Sequence, residues 1–146
     1  MFTPAISAGF KTIDILPDTN SEMLGAAVTL RNGNLLLLSE AYGSNGEVFM
    51  RQFTPYGRSL STAVQVNTTT FGSQKNVEVT PLENGNFVVG WTDTSATNPD
   101  FSGTTVRFQM FNATGNKVGG EVATPTTTSA GRGLGRYRRA VPWAFR

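Results

Sequence analysis

The sequence predicts an all-β fold of antiparallel four-stranded, blade-like repeats: two full units plus one N-terminal strand, propeller-like and completed by oligomerisation. A β-sandwich is the alternative. Three observations carry this expectation. Leu30-Arg31-Asn32-Gly33-Asn34-Leu35 returns as Leu82-Glu83-Asn84-Gly85-Asn86-Phe87, and Phe53-Thr54-Pro55-Tyr56-Gly57 returns as Phe111-Asn112-Ala113-Thr114-Gly115, so one supersecondary unit is written twice. Each copy contains four short apolar runs separated by turn signals. The 146 residues include 16 Gly, and only 15% are charged, a turn-rich composition with little long-helix material.

Taken in order, Ile13-Asp14-Ile15 matches Val64-Gln65-Val66 and predicts an extra strand over residues 10–16, the last strand of an incomplete unit. The first full unit, 24–73, places strands at Ala26–Leu30, Leu35–Ser39, Val48–Phe53 and Leu60–Val66. The second, 76–131, places them at Val77–Leu82, Phe87–Trp91, Thr105–Phe111 and Val118–Thr124. Asn32-Gly33 and Asn84-Gly85 sit between apolar runs and predict type I′ hairpins, because Asn-Gly supplies two positive φ angles readily. Gly57 and Gly115 suit a longer hairpin loop with glycine in the left-handed region, and Pro55 has its φ already set for such a turn. The unbroken apolar runs Leu35–Leu38 and Phe87–Val89 predict central strands covered on both faces. Met50, Phe108 and Met110 read as core. The two copies fall out of step by an insertion between Trp91 and Thr104. The repeat domain spans 1–131, and 132–146 is a separate basic tail.

The residue inventory removes whole classes of chemistry. With no cysteine and no histidine, the chain has no disulfide, no thiolate nucleophile, no imidazole proton shuttle and no ordinary zinc site. No run approaches the length of a membrane-spanning helix, and Met1–Phe10 lacks the charge-then-apolar pattern of a Sec signal peptide. The net charge of +2 hides an asymmetry: residues 1–131 carry seven Lys or Arg against ten Asp or Glu, while 132–146 carry five Arg and no acid. The basic character therefore belongs to the tail.

A few residues invite a functional reading. Tyr42, Trp91 and Phe101 lie at strand ends or in long loops of the two copies, where stacking aromatics could form a glycan platform together with Asp93. Trp91 reads first as a blade-packing residue. Asp93, Asn98 and Asp100 lie in the insertion 92–103 and supply oxygen ligands of the kind calcium uses; their spacing fits no calcium motif, so a solvated loop is favoured and no metal or cofactor is assigned. Glu40 and Glu47 flank the Tyr42–Gly46 turn and read as edge charges rather than an acid and base pair. In the tail, Arg136, Tyr137, Arg138, Arg139, Trp143 and Phe145 interleave cations with aromatics. They suit an arm docked on an acidic neighbouring subunit, ahead of contact with nucleic acid.

Phe87-Val88-Val89-Gly90-Trp91, Phe108-Gln109-Met110-Phe111, Gly115, Val118-Gly119-Gly120-Glu121 and Thr126-Thr127-Thr128 together resemble the tandem repeats of large bacterial surface and secreted proteins, those that accompany hemolysin-type calcium-binding arrays. The first copy follows more loosely through Arg51-Gln52-Phe53, Gly57 and Asn67-Thr68-Thr69-Thr70. The resemblance covers residues 10–131. It implies a propeller-like or stacked β architecture in a noncatalytic, extracellular or adhesive setting. The chain departs from that pattern in having two full copies, no glycine-aspartate nonapeptides, and an arginine-rich end.

The function expected from the sequence is a non-catalytic structural or adhesive subunit of a larger surface or virion-like assembly, located at a cell surface or in a virion. Its partners would be copies of itself and a larger shell or surface protein. The alternative is a glycan-binding lectin with aromatic pockets between blades. Two units are too few to close a ring of roughly 4 to 8 blades, which directs the expectation toward other copies of the chain.

Overall fold

In a computed structural model of the protein, residues 22–41, 46–95 and 103–124 are described. They form eight strands: β1 (Glu22–Thr29), β2 (Leu35–Ala41), β3 (Val48–Phe53), β4 (Val64–Gln65), β5 (Gln74–Pro81), β6 (Phe87–Asp93), β7 (Thr105–Phe111) and β8 (Lys117–Thr124). The order within each sheet is the order in the chain, β1-β2-β3-β4 and β5-β6-β7-β8, and all pairings are antiparallel. The fold is all-β, two four-stranded meanders. No helix among the described residues is long and apolar enough to cross a membrane. The strand anticipated at 10–16 lies outside the described residues, as do Tyr42, Phe101 and the whole tail with Arg136, Tyr137, Arg138, Arg139, Trp143 and Phe145.

Four hairpin turns among the described residues share one construction, and it is not type I′. At Arg31-Asn32-Gly33 the Gly33 N–H donates to the Leu30 carbonyl at 2.9 Å and the Leu30 N–H to the Asn34 carbonyl at 2.8 Å. Only the glycine has positive φ, 85°, whereas type I′ needs positive φ at both central residues. This is a three-residue loop closed by a left-handed glycine. Gly57, Gly85 and Gly115 close equivalent loops at φ 80°, 88° and 88°, with the same pair of backbone bonds at Thr54–Arg58, Leu82–Asn86 and Asn112–Asn116. Asparagine serves in another way: the Asn32 and Asn84 side-chain oxygens accept the N–H of Asn34 and Asn86, at 3.1 and 3.0 Å.

β1 and β5, the first strand of each unit, carry irregularities at matching places, between Leu24 and Ala26 and between Lys75 and Glu78. Asn76 in the second of these has φ 54°. Such bulges free a backbone group from the ladder. The freed Val77 N–H donates across the junction to the Glu40 carboxylate at 2.8 Å. Glu40, expected to be an edge charge, is thus a tie between the units. Gly25 makes the approach possible, because a Cβ there would meet Val77 Cγ1 at 2.2 Å.

A single core joins the sheets. It contains Leu36, Leu38, Val48, Met50 and Val66 from the first unit with Val77, Phe87, Val89, Trp91 and Phe111 from the second. The Phe87 and Phe111 rings stack at 5.3 Å, directly opposite one another in the ladder. The first sheet turns Leu36, Leu38 and Glu40 of β2 inward, with Val48, Met50 and Gln52 opposite them on β3. The second turns Phe87, Val89, Trp91 and Asp93 of β6 inward, with Thr105, Arg107, Gln109 and Phe111 opposite on β7.

These are unlike faces. With the Asn-Gly turns superposed, Leu35 corresponds to Phe87 and Leu37 to Val89, so the inward residues of the first sheet, Leu36 and Leu38, correspond to Val88 and Gly90 on the far side of the second. The units therefore stack head to tail.

One core assignment is corrected by this arrangement. Met50 is buried, but Phe108 and Met110 lie on the outer face of β7 and are only half-buried. Alternation along β7 separates two faces without saying which is inward. The polar one is, because its Arg107 is paired with Asp93 of β6 and Glu121 of β8, the strands on either side of it in the same sheet.

Candidate functional site

The polar groups sealed between the sheets form one connected chain of hydrogen bonds near the linker from β4 to β5. Asn67, just after β4, accepts the Val48 N–H at 2.9 Å and donates to the Thr69 carbonyl at 2.9 Å and to Gln74 Oε1 at 3.4 Å. Gln74, the first residue of β5, donates in turn to the Phe71 carbonyl and to Asp93 Oδ1, both at 3.0 Å. Asp93 ends β6 and also accepts the Ser95 N–H at 2.9 Å and the Ser95 hydroxyl at 2.6 Å. Its second oxygen is paired with Arg107 Nε. Arg107 reaches Glu121 on β8 through Nη1 at 3.0 Å, and Glu121 accepts the Thr68 N–H at 2.6 Å and the Thr69 hydroxyl at 2.8 Å. The linker is thereby fastened to the far strand of the second sheet.

Asp93 is 1% exposed. The solvated-loop reading of this residue is corrected: it is the buried end of β6, fixed in place by its pairing with β7. Burial works to raise the pKa of its carboxyl. The Ser95 hydroxyl, Gln74, the Ser95 N–H and Arg107 outweigh burial and hold the group below its usual 3.8, the result expected when several donors converge on a carboxylate. The Arg107 guanidinium lies between the Asp93 and Glu121 carboxylates and supplies the positive charge there. Both Asp93 oxygens are engaged by protein donors. Among the described residues no group of three His, Cys, Asp or Glu side chains is assembled that could hold a metal ion.

Trp91 is 1% exposed and part of the core cluster, so neither ring face is open to a sugar. Its indole N–H has no hydrogen-bond partner. Of the residues singled out as a glycan platform, Trp91 and Asp93 are thus near one another on β6 but inside the protein, and Tyr42 and Phe101 lie outside the described residues. Sequence reasoning passed over Arg107, Glu121, Gln74 and Asn67. The sequence holds no local signal for them, since an arginine on a strand needs a carboxylate partner only where its face is buried, and alternation along β7 does not say which face that is.

Away from the junction, the outer face of the second sheet holds an open depression of about 290 Å³ lined by Glu78, Thr80, Val88, Gly90, Val106 and Phe108, among others. A Cβ at Gly90 would sit 3.1 Å from two carbons of the Phe108 ring, so the glycine is what lets that ring lie against the sheet. Val106 is 38% exposed and Val122 59%. This is the apolar surface that the repeat pattern leaves outward.

Comparison of the chain with protein-family models, with curated proteins and with solved structures finds no match.

Proposed function

We propose that this protein is a non-catalytic structural or adhesive subunit that works as a homo-oligomer within a larger surface or virion-like assembly. Its two sheets serve as blades of a propeller-like array. The observation that supports the reading is the head-to-tail stacking of two like units by unlike faces. Such stacking leaves one face of each kind at the ends of the pair, and contacts of this heterologous kind extend to further copies until a ring closes or a filament grows. The buried polar groups support it too, because Asp93, Arg107 and Glu121 satisfy one another and the linker; they are committed to holding two units in register.

Native mass spectrometry of the full chain tests the proposal. A defined species of several chains, with a β-type circular dichroism spectrum, is the expected result. A folded protein that keeps the mass of one chain at high concentration would remove it.

A further inference from the structure

We propose that the outer face of the second sheet is a docking surface for a second copy of this chain, which presents the outer face of its own first sheet. This rests on the homo-oligomer reading and says which surfaces meet. The occupied junction within the chain supplies the template. There, Leu36 and Leu38 of β2 with Val48 and Met50 of β3 receive the second sheet, and all four are at most 2% exposed.

The corresponding positions of the second sheet, with β6 aligned through the Asn-Gly turns and β7 through Phe53 and Phe111, are Val88, Gly90, Val106 and Phe108. They line the depression on its outer face. The receiving surface is therefore built twice and, among the described strands, covered once. Val88, Val106 and Phe108 of β6 and β7 form its apolar centre beside Gly90, with Thr92 at one end, and the β5 edge contributes Asn76, Glu78 and Thr80. An apolar centre with a polar edge is the usual anatomy of a protein contact.

The presenting surface follows from the same correspondence. In the internal junction Phe87, Val89 and Trp91 do the covering; their counterparts on β2 are Leu35, Leu37 and Ser39, on the side of the first sheet turned away from the second, where Ser39 is fully buried and the open surface is that of the two leucines. Leu35 and Leu37 are half-buried, as is Phe49 beside them on β3. A second copy offering Leu35, Leu37 and Phe49 to Val88, Val106 and Phe108 repeats between chains the contact already made within one. The two surfaces differ, so the contact is head to tail. It has no two-fold axis.

That asymmetry supplies the test. Phe108→Glu spoils the receiving face and Leu37→Glu the presenting face, and each variant retains the other face intact. Each alone should fall to the mass of one chain in native mass spectrometry while keeping its β spectrum. Mixed in equal amounts, they should form a dimer of one chain of each kind and grow no further. Because Leu37 and Phe108 are only partly exposed, Val106→Lys, at a site 38% exposed, provides a receiving-face variant that leaves the core untouched. A wild-type assembly that persists unchanged in Val106→Lys and Phe108→Glu would overturn this inference and leave the homo-oligomer reading standing. Variants that are monomeric alone and stay so when mixed would mean a two-fold contact, which also overturns it. A monomeric wild type removes both readings.

Discussion

Asp93→Asn is the sharpest test of the polar junction. The substitution keeps size and shape but converts Oδ2 to an amide nitrogen. That atom now faces Arg107 Nε and the Ser95 hydroxyl, so a donor points at a guanidinium donor. Arg107, whose side chain is 8% exposed, keeps Glu121 as its remaining carboxylate partner. Removing one member of a buried ion pair costs about 3–5 kcal/mol when the other is left uncompensated. With Glu121 still present, about 3 kcal/mol is expected. For a chain of this size each kcal/mol moves the midpoint by roughly 3–4 °C, so thermal unfolding should shift down by about 10 °C. The pH dependence gives a second reading. The Asp93 carboxyl titrates lower in the folded protein than in the unfolded chain, so its contribution is complete above the unfolded value near 4 and is lost as pH falls through the folded one. Wild type should lose stability with a steeper acid slope below that point than Asp93→Asn. Urea unfolding at several pH values measures both. A loss below about 1 kcal/mol, the range of ordinary exposed pairs, together with an unchanged acid slope, would refute the account of the junction.

Two further predictions concern the backbone. Gly33→Ala places a Cβ in open space but at φ 85°, so the cost is conformational, about 1 kcal/mol or somewhat more. Gly72→Ala is strained at φ 77°, and its Cβ would also lie 2.7–3.0 Å from backbone atoms of Thr94 and Ser95; its loss in chemical denaturation should clearly exceed that of Gly33→Ala, and equal losses would mean that the Gly72 approach is not enforced. At the junction, Glu40→Ala leaves the bulged Val77 N–H without its acceptor and should cost about 1–3 kcal/mol. Glu40→Gln keeps an oxygen in place and should recover most of that, a difference read by the same unfolding curves.

Much of the fold is legible in the sequence because β structure writes its turns locally. The spans of β3 and β7 follow from alternation and flanking glycines, and the two-unit division follows from the repeated Asn-Gly. What stays hidden depends on partners far along the chain. The fourth strand of the first unit, expected over Leu60–Val66, shortens to Val64–Gln65: Ser59 and Leu60 still pair with β3, but at Ser61 the side-chain oxygen accepts the Gln52 N–H and the carbonyl accepts from the Arg51 side chain, which interrupts the ladder. The inward face of β7 is hidden for the same reason. Arg107 and Gln109 look solvent-facing until Asp93, Glu121 and the Gly119 carbonyl are placed against them. Local propensity cannot report a pairing between residues whose proximity is created by the sheet itself.

The two junction types differ in what fixes them, and this bears on how an assembly would behave. Within the chain, Glu40 accepts the Val77 N–H and the Gln52 amide donates to the Ala113 carbonyl at 3.3 Å; these bonds add direction to an apolar contact. On the outer face of the second sheet the counterparts of Glu40 and Gln52 are Thr92 and Met110. A short hydroxyl and a thioether cannot reproduce those ties, since methionine offers at most a weak acceptor. The contact between copies that we propose is thus held by apolar area with fewer fixed hydrogen bonds, and it lacks the covalent linker that makes the internal junction effectively unimolecular. Dilution should therefore dissociate the copies while each chain stays folded. Light scattering and circular dichroism followed through a dilution series check this, and loss of β structure in step with loss of mass would show instead that a single chain cannot hold its own two sheets together.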